Sequence, residues 1–323
     1  MTEGPSTAAP PAEPFDVVCI GETMVAFVTR SDPRHYLAVT AGAESNVAVG
    51  VTQLGRRAQW VSRLGGDPLG DFVADSIAAR GVDVAAVRDA TRPTGVLTKH
   101  VTESRTEVQY YRSESAARAL SADDVRRAGP TRWIHVTGIT PALSASAAAM
   151  VDAVTARRLR LPARVSFDVN HRPVLWPDSA TATRTLLPHC RRADVVFIGD
   201  DEGQALFGTS DAAALARLIL RRDDQELVVK HGARGASRIT RSNATFVPAL
   251  AADVLDVTGA GDAFAAGYLA ASCLGWPVPA RLRLGHLLGA RVVGVLEDVP
   301  PPLTVAELGE LSPDTLASQW AAR

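Results

Sequence analysis

The sequence predicts an α/β protein: a doubly wound, mainly parallel sheet flanked by helices, with a small β-sheet lid standing off it. Three observations carry this. Short apolar runs ending in glycine or polar residues recur along the chain as buried parallel strands do, and they alternate with stretches of helical spacing. One segment, 94–112, breaks the alternation with two period-2 runs and no helix between them. Finally, 323 residues suffice for one large domain with an appendage.

Residues 1–14, rich in Pro, Ala, Ser and Thr, read as a disordered tail. The run F-D-V-V-C-I at 15–20 ends at Gly21 and reads as a buried strand, and a second extended piece spans 24–30, here assigned to the lid. Residues 41–55, A-G-A-E-S-N-V-A-V-G-V-T-Q-L-G, form a glycine turn leading into a helix. There Ser45 or Asn46 can serve as a cap, or Gly42, Glu44 and Asn46 can face a ligand's hydroxyls. A strand over 59–64 and a helix over 69–80, closed by Gly81, follow. The lid strands of 94–112, T-G-V-L-T-K-H-V and T-E-V-Q-Y-Y-R, flank a polar turn at 103–106. Strands are then expected at 133–136, 165–168, 195–198 and 227–229, and helices near 145–158, 201–207 and 212–220. A short hairpin is read at 236–240 and 245–247, a long helix at 281–296, and a C-terminal tail at 313–323. Ligands of such sheets sit beyond the carboxyl ends of the strands, which singles out 138–141, 168–172, 199–202 and 230–235.

Composition excludes several classes. A net charge of −1 argues against a nucleic-acid-binding surface. No apolar run approaches transmembrane length, and the first residues lack a basic-then-apolar signal pattern, so a cytoplasmic protein without a membrane partner is expected. Cys19, Cys190 and Cys273 are an odd, widely spaced set and read as reduced, buried thiols. Only Lys99 and Lys230 are lysines, so an arginine is by itself a weak sign of function here.

The most informative stretch is 256–274, D-V-T-G-A-G-D-A-F-A-A-G-Y-L-A-A-S-C-L. Gly259 and Gly261 allow a tight turn and place no Cβ against an incoming ligand. The first turn of the following helix offers unpaired N–H groups and a positive dipole end, suited to a phosphate or a developing oxyanion. Asp262 sits at that spot, either as a helix N-cap or as a base beside an anion-binding loop.

D-V-T-G-A-G-D at 256–262 resembles the C-terminal signature of the ribokinase-like (PfkB) sugar kinases, and A-G-A-E-S-N-V-A at 41–48 resembles their first signature. The resemblance runs from about residue 15 to 298 and implies a ribokinase-like kinase domain, taken as 15–312, with 94–112 as its sugar-covering lid. Within the family, G-A-E-S-N at 42–46, Y-Y-R at 110–112, T-G-I-T-P-A-L-S at 137–144 and D-V-N-H-R-P-V-L-W at 168–176 are similar to the kinases of 2-keto-3-deoxygluconate. The resemblance implies ATP and Mg²⁺ as cofactors, leaves a monovalent cation open, and makes Asp262 the base and Gly259, Ala260 and Gly261 the anion hole. It further implies sugar contacts from Gly42, Asn46, Tyr110, Arg112, Ile139, Arg172 and Asp298. Nucleotide contacts would come from Lys230, Gly232, Arg234, Gly235, Gly259, Gly261 and His286, with Glu202 near the metal.

Arg112 and Arg172 suit an anionic substrate, since guanidinium groups pair with carboxylates in fixed planar geometry; the alternatives are a salt bridge for Arg172, perhaps to Asp168, hairpin packing for Tyr110 and core packing for His286. The chain departs from the pattern at Gly199, where an Asn is usual, at Leu97 in place of a lid Tyr, and at Glu297 before Asp298. Rival readings are a kinase of a neutral sugar such as fructose or ribose, and a non-catalytic sugar- or nucleotide-binding regulator. A nicotinamide-dependent dehydrogenase is poorly supported, because G-E-T-M rather than G-x-G-x-x-G follows the first strand. An exposed lid edge could pair with a second subunit, so a homo-oligomer is expected.

Overall fold

The structure, a computed structural model, describes residues 13–29, 34–102, 106–159 and 162–321. In chain order the strands are β1 (Phe15–Ile20), β2 (Met24–Thr29), β3 (Leu37–Ala41), β4 (Ala58–Gly65), β5 (Asp83–Asp89), β6 (Val96–Val101), β7 (Thr106–Tyr111), β8 (Thr131–Thr137), β9 (Arg164–Asp168), β10 (Val195–Gly199), β11 (Glu226–Lys230), β12 (Ala236–Ile239) and β13 (Ala244–Val247). The helices are α1 (Ala43–Gln53), α2 (Pro68–Ala78), α3 (Ala122–Val125), α4 (Ala145–Thr155), α5 (Ser179–Arg192), α6 (Asp200–Phe207), α7 (Ala212–Ile219), α8 (Ala260–Cys273), α9 (Val278–Val292), α10 (Val305–Glu310) and α11 (Pro313–Ala321).

The main sheet has nine strands in the order β13-β12-β11-β10-β9-β8-β1-β4-β5. It is parallel from β11 to β5, and β12 and β13 join antiparallel at one edge. Alternate residues of β1 feed two separate cores. Val18 and Ile20 pack with Met150, Leu186 and Leu215 under α4, α5 and α7. Val17 and Cys19 pack with Val47, Val73, Phe264 and Leu282 under α1, α2, α8 and α9. Burial on both faces explains why these strands read as unbroken apolar runs. The chain winds outward from β1 in one direction and from β8 in the other, so the strand order reverses between these neighbours. That reversal opens a crevice at their carboxyl ends.

The lid is a separate four-stranded sheet, β3-β2-β6-β7, with β6 and β7 antiparallel as the alternation predicts. The expected lid residue 30 and most of the turn, 103–105, lie outside the described residues, as do 1–12 of the expected tail.

Several elements differ from expectation. β3 and the edge strand β5 were not foreseen, nor was α5, which tolerates Pro188 inside it. The last long helix begins at Val278 rather than 281, because prolines at its start need no hydrogen-bond partner, and it ends at Val292, short of 296. From 313 the chain forms α11 instead of a tail. Leu316 is buried there, and the Trp320 indole donates to the Pro248 carbonyl at 2.9 Å. Cys19 and Cys190 are buried, Cys273 is partly so, and all three are free thiols. No described helix is long and apolar enough to cross a membrane.

Candidate active site

A cleft of about 620 Å³ opens where the strand order reverses, between the main sheet and the lid. Gly42 and Asn46 at the start of α1, Ile139 after β8, Arg172 after β9 and Asp262 on α8 line it from below. Leu97, Lys99, Tyr110 and Arg112 line it from the lid, so the segment singled out by its period-2 pattern does face Asp262 across one cavity.

Asp262 is the third residue of α8, whose N-cap is Gly259, and its carboxylate does not cap the helix. It accepts instead from Asn46 Nδ2 at 2.9 Å and from Asn170 Nδ2 at 3.1 Å. Asn170 holds this position with φ of 38°, a conformation asparagine tolerates better than most residues. Burial pushes the Asp262 carboxyl up to about 7; the Asn46 hydrogen bond works against this, nearby Asp168 adds to it, and Arg172 and Lys230 pull it back. A carboxylate that titrates near neutrality can take a proton from a hydroxyl at physiological pH.

The loop before α8 turns at Gly259, with φ of 80°. A Cβ there would lie 2.3 Å from the Asp298 carbonyl oxygen. Gly259→Ala is therefore expected to cost about 1–3 kcal/mol from backbone strain alone, seen as a lower thermal midpoint together with lost turnover. An unchanged melting curve with full turnover would show that the close approach is not made. The Ala260 amide is engaged by the Val257 carbonyl at 3.3 Å, whereas the Gly261 and Asp262 amides have no acceptor among the described residues. Those two orphan donors point at whatever occupies the helix N-terminus.

Toward the lid and the start of α1, several of the singled-out residues have partners that were not foreseen. Arg112 pairs with Glu22, and both side chains are buried. Its charge is cancelled within the protein, and its guanidinium lies 5.7 Å from the centre of the Tyr110 ring. Arg172 does not bridge to Asp168. It is half-buried, and it donates to the His171 carbonyl at 3.5 Å. Glu44 Oε1 accepts from the hydroxyls of Thr137 at 2.8 Å and Thr140 at 2.7 Å, which ties α1 to the end of β8. Ser45 donates to the Gly42 carbonyl at 3.0 Å and caps nothing. The Asp298 carboxylate accepts from Lys99 Nζ at 2.7 Å. Glu297 turns outward to Arg80 at 2.5 Å.

On the far side of Asp262, Lys230 Nζ donates to Asp168 at 2.7 Å. It also stands 3.1 Å from where a Cβ on Gly261 would be, placing a cation against the first turn of α8. Glu202 accepts from the His171 amide at 2.6 Å and the Gly199 amide at 2.7 Å, and burial raises its pKa. The Gly199 contact closes the first turn of α6, so Glu202 serves there as a helix cap. Gly232 and Gly235 adopt positive φ in the loop after β11, while Arg234 extends into solvent to pair with Asp200. His286 is packed against Phe264, with ring centres 5.1 Å apart, and bonds the Val247 carbonyl at 3.1 Å. Burial lowers its pKa to about 4, so it stays neutral. Among the described residues no three His, Cys, Asp or Glu side chains cluster closely enough to hold a metal by themselves. Sequence reading missed Glu22, Asn170 and the partners of Lys99; only the placement of Asn170 at a strand end hinted at a role.

The geometry defines a class of protein, and comparison with known proteins agrees. The description "pfkB family carbohydrate kinase" matches residues 15–302, so the chain belongs to that family. Over 290 residues it is 35% identical to a 2-dehydro-3-deoxygluconokinase of Bacillus subtilis (strain 168), covering 85% of this chain and 89% of the relative. Identity to the 2-dehydro-3-deoxygluconokinase of Thermoproteus tenax is also 35%, over 95% of this chain and 99% of that one. A fructokinase of Xylella fastidiosa solved with bound ATP superimposes with a TM-score of 0.80 at 26% identity, covering 95% of this chain and 99% of that one.

Proposed function

We propose that this carbohydrate kinase moves the γ-phosphoryl group of ATP to the C6 hydroxyl of a sugar acid, 2-keto-3-deoxygluconate, giving its 6-phosphate and ADP. One observation carries the choice of an acid. Three cations line the cleft, and two are neutralised inside the protein: Lys99 by Asp256 and Asp298, and Arg112 by Glu22. Arg172 alone has no carboxylate partner among the described residues, and it faces the substrate space. A guanidinium held this way gains most from a carboxylate brought in by the ligand. The 35% identity to two 2-dehydro-3-deoxygluconokinases supports the same substrate.

In this reading the sugar hydroxyl lies against Asp262, which takes its proton as the oxygen attacks phosphorus. Asn46 and Asn170 hold the carboxylate in place through both its oxygens. The free amides of Gly261 and Asp262, with Lys230 beside them, accept the charge that gathers on the phosphoryl oxygens. A Mg²⁺ ion would reach the site on the ATP phosphates, since such ions keep several waters and need few protein ligands; Glu202, whose oxygens the His171 and Gly199 amides fix at the start of α6, would be the carboxylate on its side. When bound, Mg²⁺ supplies further charge neutralisation on the phosphates.

A base of pKa about 7 works only when unprotonated, so kcat/KM should be full above that pH and fall tenfold per unit below it. Asn46→Ala removes a hydrogen bond to the charged form and should move this acid limb to higher pH. A limb near the usual range of free carboxylates, unmoved by Asn46→Ala, would rule out Asp262 as the titrating base.

The Glu22–Arg112 pair favours a second reading. A cleft whose lid cation is already cancelled, next to apolar Leu97, also suits a neutral sugar such as fructose. A coupled ADP-release screen of sugar acids against fructose and ribose decides between them, with at least about 10²-fold higher kcat/KM expected for 2-keto-3-deoxygluconate.

A further inference from the structure

Lys99 is the residue of this cleft that the proposed chemistry leaves without a task. It projects from β6 in the lid, yet its partners belong to the body: Asp256 Oδ2 at 2.5 Å and Asp298 Oδ1 at 2.7 Å. The adjoining lid strand adds the Thr106 hydroxyl, 3.3 Å from Asp256 Oδ1. All three charged groups are buried. Both acids brace the anion-binding loop. Asp256 opens it and accepts from the Thr258 amide at 3.1 Å and hydroxyl at 2.8 Å. Asp298 lies with its backbone directly under Gly259.

We propose that Lys99 is a positioning residue: a counter-ion carried by the lid that fixes the loop at 256–259, so that the Gly261 and Asp262 amides are aimed at the phosphoryl group when the lid covers the sugar. This rests on the reading of those amides as the anion site. The physical reason is charge balance. Two carboxylates buried side by side repel, and without the ammonium between them one must take up a proton or the loop must move apart. Burial by itself would discharge Lys99, but Asp298 and Asp256 outweigh it and keep the ammonium protonated. The lid and the loop therefore share one ionic joint, and a lid displaced from the cleft would leave the loop unbraced.

The test uses the whole chain with saturating ATP and its best sugar substrate. Lys99→Met keeps the length of the side chain and removes its charge; kcat should fall by about 10²-fold, the usual consequence of misplacing catalytic groups by about 1 Å, while KM for ATP changes little. Lys99→Ala should lose as much, and methylammonium, which can restore a cation between the two acids, should recover at least about tenfold of its kcat at constant ionic strength. Tetramethylammonium, too large to fit between them, should not. Asp262→Asn serves as the reference. If it is folded and fully active, the active-site reading fails and takes the proposal with it. If it is inactive while folded Lys99→Met keeps full kcat, only the role of Lys99 is overturned. A Lys99→Ala protein whose loss follows its lowered melting temperature and is not recovered by methylammonium would make the lysine structural and overturn the proposal as well.

Discussion

Replacing Asp262 with Asn should lower turnover by roughly 10²–10⁴-fold, the range typical of losing a general base, and leave the fold in place. The substitution keeps size and shape. It removes a buried charge whose ionisation is already disfavoured, as the pKa of about 7 shows. Both current partners, Asn46 and Asn170, are donors, so an amide at 262 can satisfy only one of them through its oxygen. The other donor is left facing an NH₂ group, at a cost of about 1–3 kcal/mol. Relief of the buried charge offsets part of that, and a modest change in thermal midpoint is expected. Steady-state kinetics with a melting curve on the same preparation checks the point. A folded Asn variant with near-normal turnover would reduce Asp262 to a buried hydrogen-bond acceptor between α8 and the end of β9.

The second large effect concerns Arg172. Removing one partner of a desolvated charge pair typically costs about 2–5 kcal/mol, roughly 30-fold to several-thousand-fold in kcat/KM. Arg172 is only half-buried, so screening by solvent places Arg172→Ala toward the lower end of that range. The loss should fall on the sugar acid and barely touch any residual use of fructose, which offers the guanidinium no charge. Because Glu22 cancels Arg112, Arg112→Ala should not show the same selectivity. Equal losses on acid and neutral sugar in the Arg172 variant would remove the carboxylate contact and favour the neutral-sugar kinase.

The parallel sheet was legible because its strands are buried on both faces and read as apolar runs, and the lid because its alternation departs from that pattern. β5 was not, since D-V-A-A-V-R-D lies at the sheet edge, is only partly buried and is bounded by charges, so it shows no unbroken apolar run. α5 was hidden by Pro188 and by arginines that mask its apolar stripe. For the site, glycine turns and a lone Asp at a helix start located Asp262, but not what holds it. Asn46 is 216 residues from Asp262 in the chain, and Lys99 is 199 from Asp298. Pairings at such distances follow from how the sheet is wound, and a single sequence does not display them. The same holds for Arg112: its residue type suggested an anion site, and only the fold reveals that Glu22 reaches it first.

Both lysines of the chain are committed to internal ion pairs, Lys99 to Asp256 and Asp298 and Lys230 to Asp168. The protein therefore presents arginine wherever its surface is basic, and amine-directed reagents meet no free lysine side chain on the native fold. Acylating agents should pass over the buried Lys99 in the folded protein, so an adduct there would report the opening of the lid joint, whereas the partly exposed Lys230 would report how accessible the first turn of α8 is to solvent. Timed labelling read out by mass spectrometry thus records motion of the lid at Lys99, with Lys230 as an internal reference and no background from other lysines.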